Sequence, residues 1–376
     1  MIKVLHLIYG LNAGGAETLM YNISSNFNFE EFEFSFMIIK KNDDEHFYEK
    51  KLKDMGCRII PIKKQSSSKM HREMLKKMNE GHYDIIHIHN AQCDKLPDVF
   101  TAKRSNCKHV VVHSHNSAFQ PNIKWYKFRV KLQKVLKGFY SILADGFISC
   151  SNKASEWSFT KTIRKSGKIF WLKNGIDVQK FSYDENSRKK LRQQYELGNA
   201  FVIGHVGKYD YQKNHSFIID VFEQIQMKSD HSSYLVLIGS GALKTQIESL
   251  AAEKKLVDKI IFVDKTDIVN QYMSMMDVFL FPSLFEGLPV VGVEAQAASL
   301  MTIGSDTITT EVAVSEYWRT VSLNKSASEW ADIVLEYKKG YSRNNGSEEV
   351  RKSGFDIQDV AVSLENYYKQ LVDNGD

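Results

Sequence analysis

The sequence predicts an α/β protein built from two doubly wound parallel-sheet domains. Three observations carry that expectation. Apolar runs of four to seven residues alternate with segments of helical spacing, as in a parallel sheet with helices on both faces. The alternation lapses in a polar stretch, 178–198, and restarts near Ala200. The charge divides at the same place. Residues 1–195 hold 34 Lys and Arg against 19 Asp and Glu, a surplus of 15, and the remainder holds 16 against 26, a deficit of 10.

Taken in order, KVLHLIY predicts a first strand and AETLMYNISSNF a helix. FEFSFMIIK is a strand, HFYEKKLKDMG a helix, CRIIPI a strand, and Met70–Gly81 a polar helix. YDIIHIHN, KHVVVHSHN and ADGFISCS supply further strands. The second set begins with AFVIGHVGK and a helix from Asn214 to Lys228, then the strands YLVLIGSG, KIIFVDK and DVFLFPS with helices between them. The segment VQKFSYDENSRKKLRQQYELG reads as a linker or hinge helix. Ile357, Val360, Leu364 and Tyr368 give the tail a helical face. The expected division is 1–180, 181–355 and a terminal helix over 356–376. Two doubly wound sheets place a ligand beyond their carboxyl edges, in a cleft.

Composition excludes several classes. The 376 residues contain no apolar run of the ~18–20 residues a membrane span needs. MIKVLHLIYGLNAGG reads as a strand and glycine turn, not as a signal peptide. Cys57, Cys93, Cys107 and Cys150 are scattered, with no C-x-x-C pair, which predicts reduced thiols and a cytoplasmic home. The basic face lacks an aromatic-interleaved groove or a recognised module, so no nucleic acid is expected.

The chemistry centres on FPSLFEGLPVVGVEAQ, Phe281–Gln296. A strand ends, Gly287 permits close backbone approach, and Pro289 suits a first helical turn. Free N–H groups and the dipole at a helix start favour phosphate. Glu286 stands at the mouth of the turn and Glu294 lies about one and a half turns into the helix. Carboxylates accept paired hydroxyl hydrogen bonds, so one could hold a sugar and the other a ribose. Isolated from this context, the pair would be a dipole-favoured glutamate and a solvent-facing one.

This stretch resembles the E-x7-E signature of the retaining glycosyltransferases of family four, which use nucleotide-sugar donors. The likeness extends along the chain through AGGAE, HSHN, LADGFISCS, LKNGID, VGKYDYQKNH and VLIGSG, in the same order, and is nearest to exopolysaccharide and capsule enzymes. It implies the GT-B fold: two Rossmann-like domains facing across a cleft, with the last helix crossing back to the first domain. It implies a catalytic group of His115, Lys208, Lys213 and Glu286, and donor contacts from Gly15, Asn116, Gly239, Gly287, Leu288, Pro289 and Glu294. The implied donor is a nucleotide diphosphate sugar, UDP-linked, and the acceptor a lipid-linked glycan. No metal or other cofactor is implied. The acceptor would attack from the donor's front face, and the departing phosphate would take the proton. The family's usual residue at Lys208 is arginine; lysine keeps the charge and loses the bidentate fork.

Each position also has a plainer reading. GLNAGGAE does not have G-x-G-x-x-G spacing, so Gly14 and Gly15 fit an ordinary βα turn as well as a substrate loop. Lys208 and Lys213 can neutralise a departing diphosphate or belong to a solvated loop. Gly239 and Gly241 border a nucleotide or make a close turn. Asn174, Gly175 and Asp177 fit an interdomain loop or a structural turn. HIHN and HSHN bring His87, His89, His113 and His115 onto one sheet face. No carboxylate or cysteine completes a metal site there, and His113 reads as a packing residue.

Residues Val99–Ala144 hold nine Lys and Arg and no acid. Lys124, Lys127, Lys131 and Lys134 share one helical face, opposite Trp125, Phe128, Leu132, Val135, Leu136 and Phe139. The lysines suit a weak contact with an anionic membrane at the inner face of the plasma membrane. The apolar side is expected in the domain core. Two alternatives remain at this stage: a nucleotide-sugar epimerase of the same fold, and a non-catalytic partner subunit of another transferase.

Overall fold

Seven parallel strands form the first sheet: β1 (Ile2–Leu7), β2 (Phe32–Lys40), β3 (Arg58–Lys63), β4 (Ile85–His89), β5 (His109–Ser114), β6 (Gly146–Ser149) and β7 (Ile169–Trp171). The computed structural model describes residues 1–12, 14–42, 44–119, 124–229 and 233–373. The order β3-β2-β1-β4-β5-β6-β7 runs outward in both directions from the β1/β4 pair. Alternation along the strands separates two apolar layers. Val4, Phe34, Phe36, Val111 and Ile148 face one layer, and Leu5, Met37, Ile86 and Val112 face the other. Burial on both faces is why these strands read as continuous apolar runs.

The chain forms two units, Met1–Gly175 with Ile357–Asp376, and Ile176–Asp356. The first division falls five residues before residue 180, because Ile176 makes a parallel bridge to Asp356 and donates its N–H to the Phe355 carbonyl. The terminal helix Ile357–Asp373 buries Ile357, Val360, Ala361, Leu364 and Tyr368 in the first unit's core. Glu365 there accepts the Asn28 N–H at 2.7 Å, and the Tyr368 hydroxyl meets His87 Nδ1 at 2.5 Å.

The second unit has six parallel strands: β8 (Phe201–Val206), β9 (Ser233–Ile238), β10 (Ile260–Val263), β11 (Val278–Phe281), β12 (Met301–Ser305) and β13 (Trp318–Val321), in the order β10-β9-β8-β11-β12-β13. Its direction reverses between β8 and β11. The polar segment before it is no free linker. Helix Glu185–Gln194 is N-capped by Asp184 and packs into this unit. Arg188 and Arg192 reach Asp277 at 2.6 and 2.7 Å and collect carbonyl oxygens at the end of helix Val269–Met275. Bidentate donors let arginine satisfy several carbonyls at once, so the charges serve packing.

The basic helix departs from expectation. Helix Tyr126–Leu136 buries one residue, the polar Gln133, whose Oε1 accepts the Cys93 N–H at 2.5 Å. Trp125, Phe128 and Val135 are 71%, 61% and 72% exposed, and Ile142 beyond them 76%. Trp125, Phe128 and Val135 of the apolar side therefore lie outside the core, whereas Leu136 packs against it. Among the described residues no helix is long and apolar enough to cross a membrane.

Candidate functional site

In the second unit, β8 and β11 are neighbours from which the chain departs in opposite directions, and their carboxyl ends form the switch point where such sheets bind ligands. The loops beyond them are tied together. The Leu284 N–H bonds the Gln212 carbonyl at 2.8 Å, and Gln212 Nε2 donates to the Phe285 carbonyl and to Glu286 Oε2, both at 2.9 Å. Lys213 Nζ meets Glu286 Oε1 at 2.6 Å and stands 5.0 Å from the centre of the Phe281 ring. Glu286 is buried and Lys213 largely so, which keeps this charge pair from being a solvated surface bridge. Lys208 lies exposed on the same loop. The structure thus brings Lys213 and Glu286 into contact and leaves Lys208 in solvent.

Gly287 and Leu288 lead into helix Val290–Ala297, with Pro289 as its extended N-cap residue. The helix therefore begins one residue beyond the proline. Glu294 is partly buried on its fifth position, and none of the described residues hydrogen-bonds its carboxylate. Burial raises its carboxyl from 4.5 to about 7, against the smaller opposing effect of the Lys180 cation. The solvent-facing reading of Glu294 does not hold. Two positions on, Gln296 is fully engaged. Its Nε2 donates to the Gly292 and Val312 carbonyls, and its Oε1 accepts from Val314 and Ser315. This fixes the loop over the helix.

Gly239 has φ of +148°, and a Cβ there would stand 2.0 Å from the Gly207 carbonyl oxygen. The Gly207 N–H bonds the Ile238 carbonyl and the Tyr209 N–H the Ser240 carbonyl, so the close turn alone accounts for glycine. Beneath the loop, His205 and His215 are buried. His205 Nδ1 bonds the Leu280 carbonyl at 2.9 Å, whereas neither ring nitrogen of His215 has a partner among the described residues.

In the first unit, Gly15 opens helix Gly15–Ser24 beyond β1, and a side chain there would meet nothing within 4 Å. His115 follows β5, and Asn116 donates to Asn90 Oδ1 at 2.9 Å, itself in the left-handed region. The histidines form a larger group than HIHN and HSHN suggest. His6 on β1 stands in register with His87, and His89 with His113. His6 Nδ1 lies 3.2 Å from His89 Nε2, His89 Nδ1 lies 3.0 Å from His115 Nε2, and His87 Nε2 lies 3.2 Å from His113 Nδ1. His113 is a buried packing residue, but its Nε2 has no partner among the described residues. Desolvation holds His6, His87, His89 and His113 well below the usual imidazole range and His115 at about 3. Asp177 caps helix Val178–Phe181, and Gly175 packs against Ile357 and Val360, so both serve the fold.

Sequence reading did not single out Gln212, His215, Gln296 or His6. Gln212 was visible within YDYQKNH and His6 within KVLHLIY on the alternation shared with His87. Nothing in the sequence alone pairs Lys213 with Glu286.

Residues 187–352 match the family model described as glycosyl transferases group 1. A putative glycosyltransferase, EpsF, of Bacillus subtilis (strain 168) is 28% identical over 97% of this chain and 96% of its own. The capsular polysaccharide biosynthesis glycosyltransferase CapH of Staphylococcus aureus is 26% identical over 98% of this chain and 99% of its own. Among solved structures, Anabaena Alr3699/HepE in complex with UDP and glucose superposes with a TM-score of 0.78 at 16% identity, covering 98% of this chain and 99% of that one. The two parallel-sheet units are of the GT-B class.

Proposed function

We propose that this chain, a group 1 glycosyltransferase, moves a sugar from a UDP-linked donor to a growing polysaccharide with retention of anomeric configuration. The carrying observation is the buried Lys213–Glu286 pair, braced by Gln212 at the β8/β11 switch point, with the partly desolvated Glu294 on the helix that follows. HepE's complex with UDP and glucose and CapH's role in capsular polysaccharide support the donor and product class. Glu294 accepts the ribose hydroxyls. The Val290–Ala297 helix start, Lys213 and Lys208 meet the diphosphate, and Glu286 orients the sugar. His115, in the first unit, offers a ring nitrogen to a sugar hydroxyl. The bond from the anomeric carbon to the diphosphate breaks, the bond to the acceptor oxygen forms on the same face, and the acceptor proton passes to the departing phosphate. Lysine cations and peptide N–H groups supply the countercharge that a divalent ion would otherwise bring.

Incubating the purified chain with UDP- and GDP-sugars and a lipid-linked glycan acceptor tests this. The expected results are thermal stabilisation by a UDP-sugar and a product of unchanged anomeric configuration, formed equally in excess EDTA. An inverted product, or conversion of donor without acceptor, refutes the reading.

Its acceptor is lipid-linked and is met at the inner face of the plasma membrane. Lys124, Lys127, Lys131 and Lys134 offer charge to an anionic surface, and the exposed Trp125, Phe128 and Val135 offer apolar area beside them. Vesicles containing anionic lipid should sediment the chain, and Trp125→Ser/Phe128→Ser should lose most of that binding. Equal binding to neutral vesicles would remove the electrostatic contribution.

A further inference from the structure

We propose that His89 and His6 are positioning residues that fix the proton of His115 on Nδ1, so that its outer nitrogen is a hydrogen-bond donor. This rests on the reading of His115 as the residue that faces the donor sugar. The three rings form one column: His6 Nδ1 to His89 Nε2 at 3.2 Å, and His89 Nδ1 to His115 Nε2 at 3.0 Å. Both inner nitrogen pairs are thereby used, and the column's ends are His6 Nε2 and His115 Nδ1.

A neutral imidazole carries one N–H and one lone pair. With one proton per contact, all three rings must point the same way. If they point inward, His115 and His89 carry their protons on Nε2, and His6 Nε2–H ends the column. That end is buried and has no partner among the described residues, so a donor would be stranded. If they point outward, His6 Nε2 is a bare lone pair, and every proton lies on Nδ1. A buried N–H without an acceptor is rarer than an acceptor without a donor, which selects the outward order. Burial keeps the rings neutral, as the count of one proton per contact requires. The result is a donor at His115 Nδ1, suited to a hydroxyl oxygen and unsuited to abstracting a proton.

The same rings offer a competing occupant. His6, His87 and His89, and separately His89, His113 and His115, hold ligand atoms within 4.8 Å of one another. A divalent ion would need one lone pair from each of three rings and would bring its charge where neither triad holds a carboxylate. The neutral column avoids that cost.

The test is long-range proton–nitrogen correlation on the full chain with 15N-labelled histidine, beside metal analysis of the purified protein. The expected spectrum shows His6, His89 and His115 protonated at Nδ1 at pH 7, with no stoichiometric metal. His115 protonated at Nε2, or one zinc per chain, overturns the proposal. In activity, His89→Leu should lower kcat/KM about tenfold, the scale of one buried hydrogen bond. His89→Asn, whose amide can donate to His115 Nε2, should recover most of it. Equal activity of His89→Leu and the parent also overturns the proposal. The spectrum needs neither variant nor substrate. Full activity of His115→Ala would sink the donor-facing reading while leaving the proton order standing.

Discussion

Replacing Glu294 by glutamine should make the free protein more stable and the nucleotide complex weaker. The carboxyl is raised from 4.5 to about 7 because burial penalises its charged form more than the Lys180 cation favours it. A raised acid destabilises the folded state wherever the unfolded chain is ionised and the folded one resists ionising. The sign follows. Below pH 4.5 both forms are protonated and the penalty vanishes. Between 4.5 and about 7 it grows with pH, and above about 7 it is complete. At 1.36 kcal/mol per pH decade the ceiling is about 3 kcal/mol, and the residue's partial exposure brings the expected gain to roughly 1–3 kcal/mol.

Glutamine keeps the shape and cannot ionise. Melting both proteins without ligand at pH 4.5, 6 and 8 should give coincident curves at the lowest pH and a variant several degrees more stable at the highest. Calorimetry with UDP should show the opposite ranking. A carboxylate accepting ribose hydroxyls is worth about 1.5–3 kcal/mol, so the variant's Kd should rise roughly 10- to 100-fold. Parent binding near pH 6 should release a proton, seen as a buffer-dependent enthalpy, because the complex requires the ionised form. Equal stability at every pH together with an unchanged Kd would mean that Glu294 is an ordinary hydrated helix residue, and the donor site would have to be sought elsewhere.

Lys213→Ala and Glu286→Gln should each cut kcat about 10²- to 10³-fold, the usual loss for one charge-stabilising group. The double variant should lose far less than the product of the two, since the groups act as a pair at 2.6 Å; strict multiplicativity in steady-state kinetics would separate their roles. Asp277→Ala should destabilise the second unit by about 3–5 kcal/mol in denaturant titration, because it strands the buried Arg192. A loss under 1 kcal/mol would show that the backbone carbonyls alone satisfy both arginines.

Elements whose apolar content exceeds what their local charges can disguise were legible in the sequence. FEFSFMIIK is β2 to the residue, and the tail's Ile357, Val360, Leu364 and Tyr368 all lie in the first unit's core. Three strands escaped. Ile169–Trp171 has three residues, and MTIGS and WRTV carry too few apolar side chains to stand out from a loop. Their pairing comes from neighbouring strands already in place. The basic helix failed for a different reason. Periodicity identifies a face but not what covers it, and here the covered face is the one with Gln133. In the segment 178–198 the helix was legible but its packing was not, since charges that look like solvated linker are arginines consumed by carbonyls of a distant helix.

The site divides along the same line. Types and order of residues at strand ends were readable because the topology sends every strand's carboxyl end to one edge. The contacts among them were not, because they join loops far apart in sequence. Gln212 reaches Glu286 across 74 positions and His6 reaches His89 across 83. That distinction weighs on how the motif glycines are understood. Gly239 is demanded by the Gly207 carbonyl whether or not a nucleotide ever lies beside it. Glu294 is the reverse case. The fold gives its carboxylate no hydrogen-bonding partner among the described residues and charges stability for keeping it. A residue that costs the free protein and repays nothing within it points to a ligand more strongly than one whose packing already explains it.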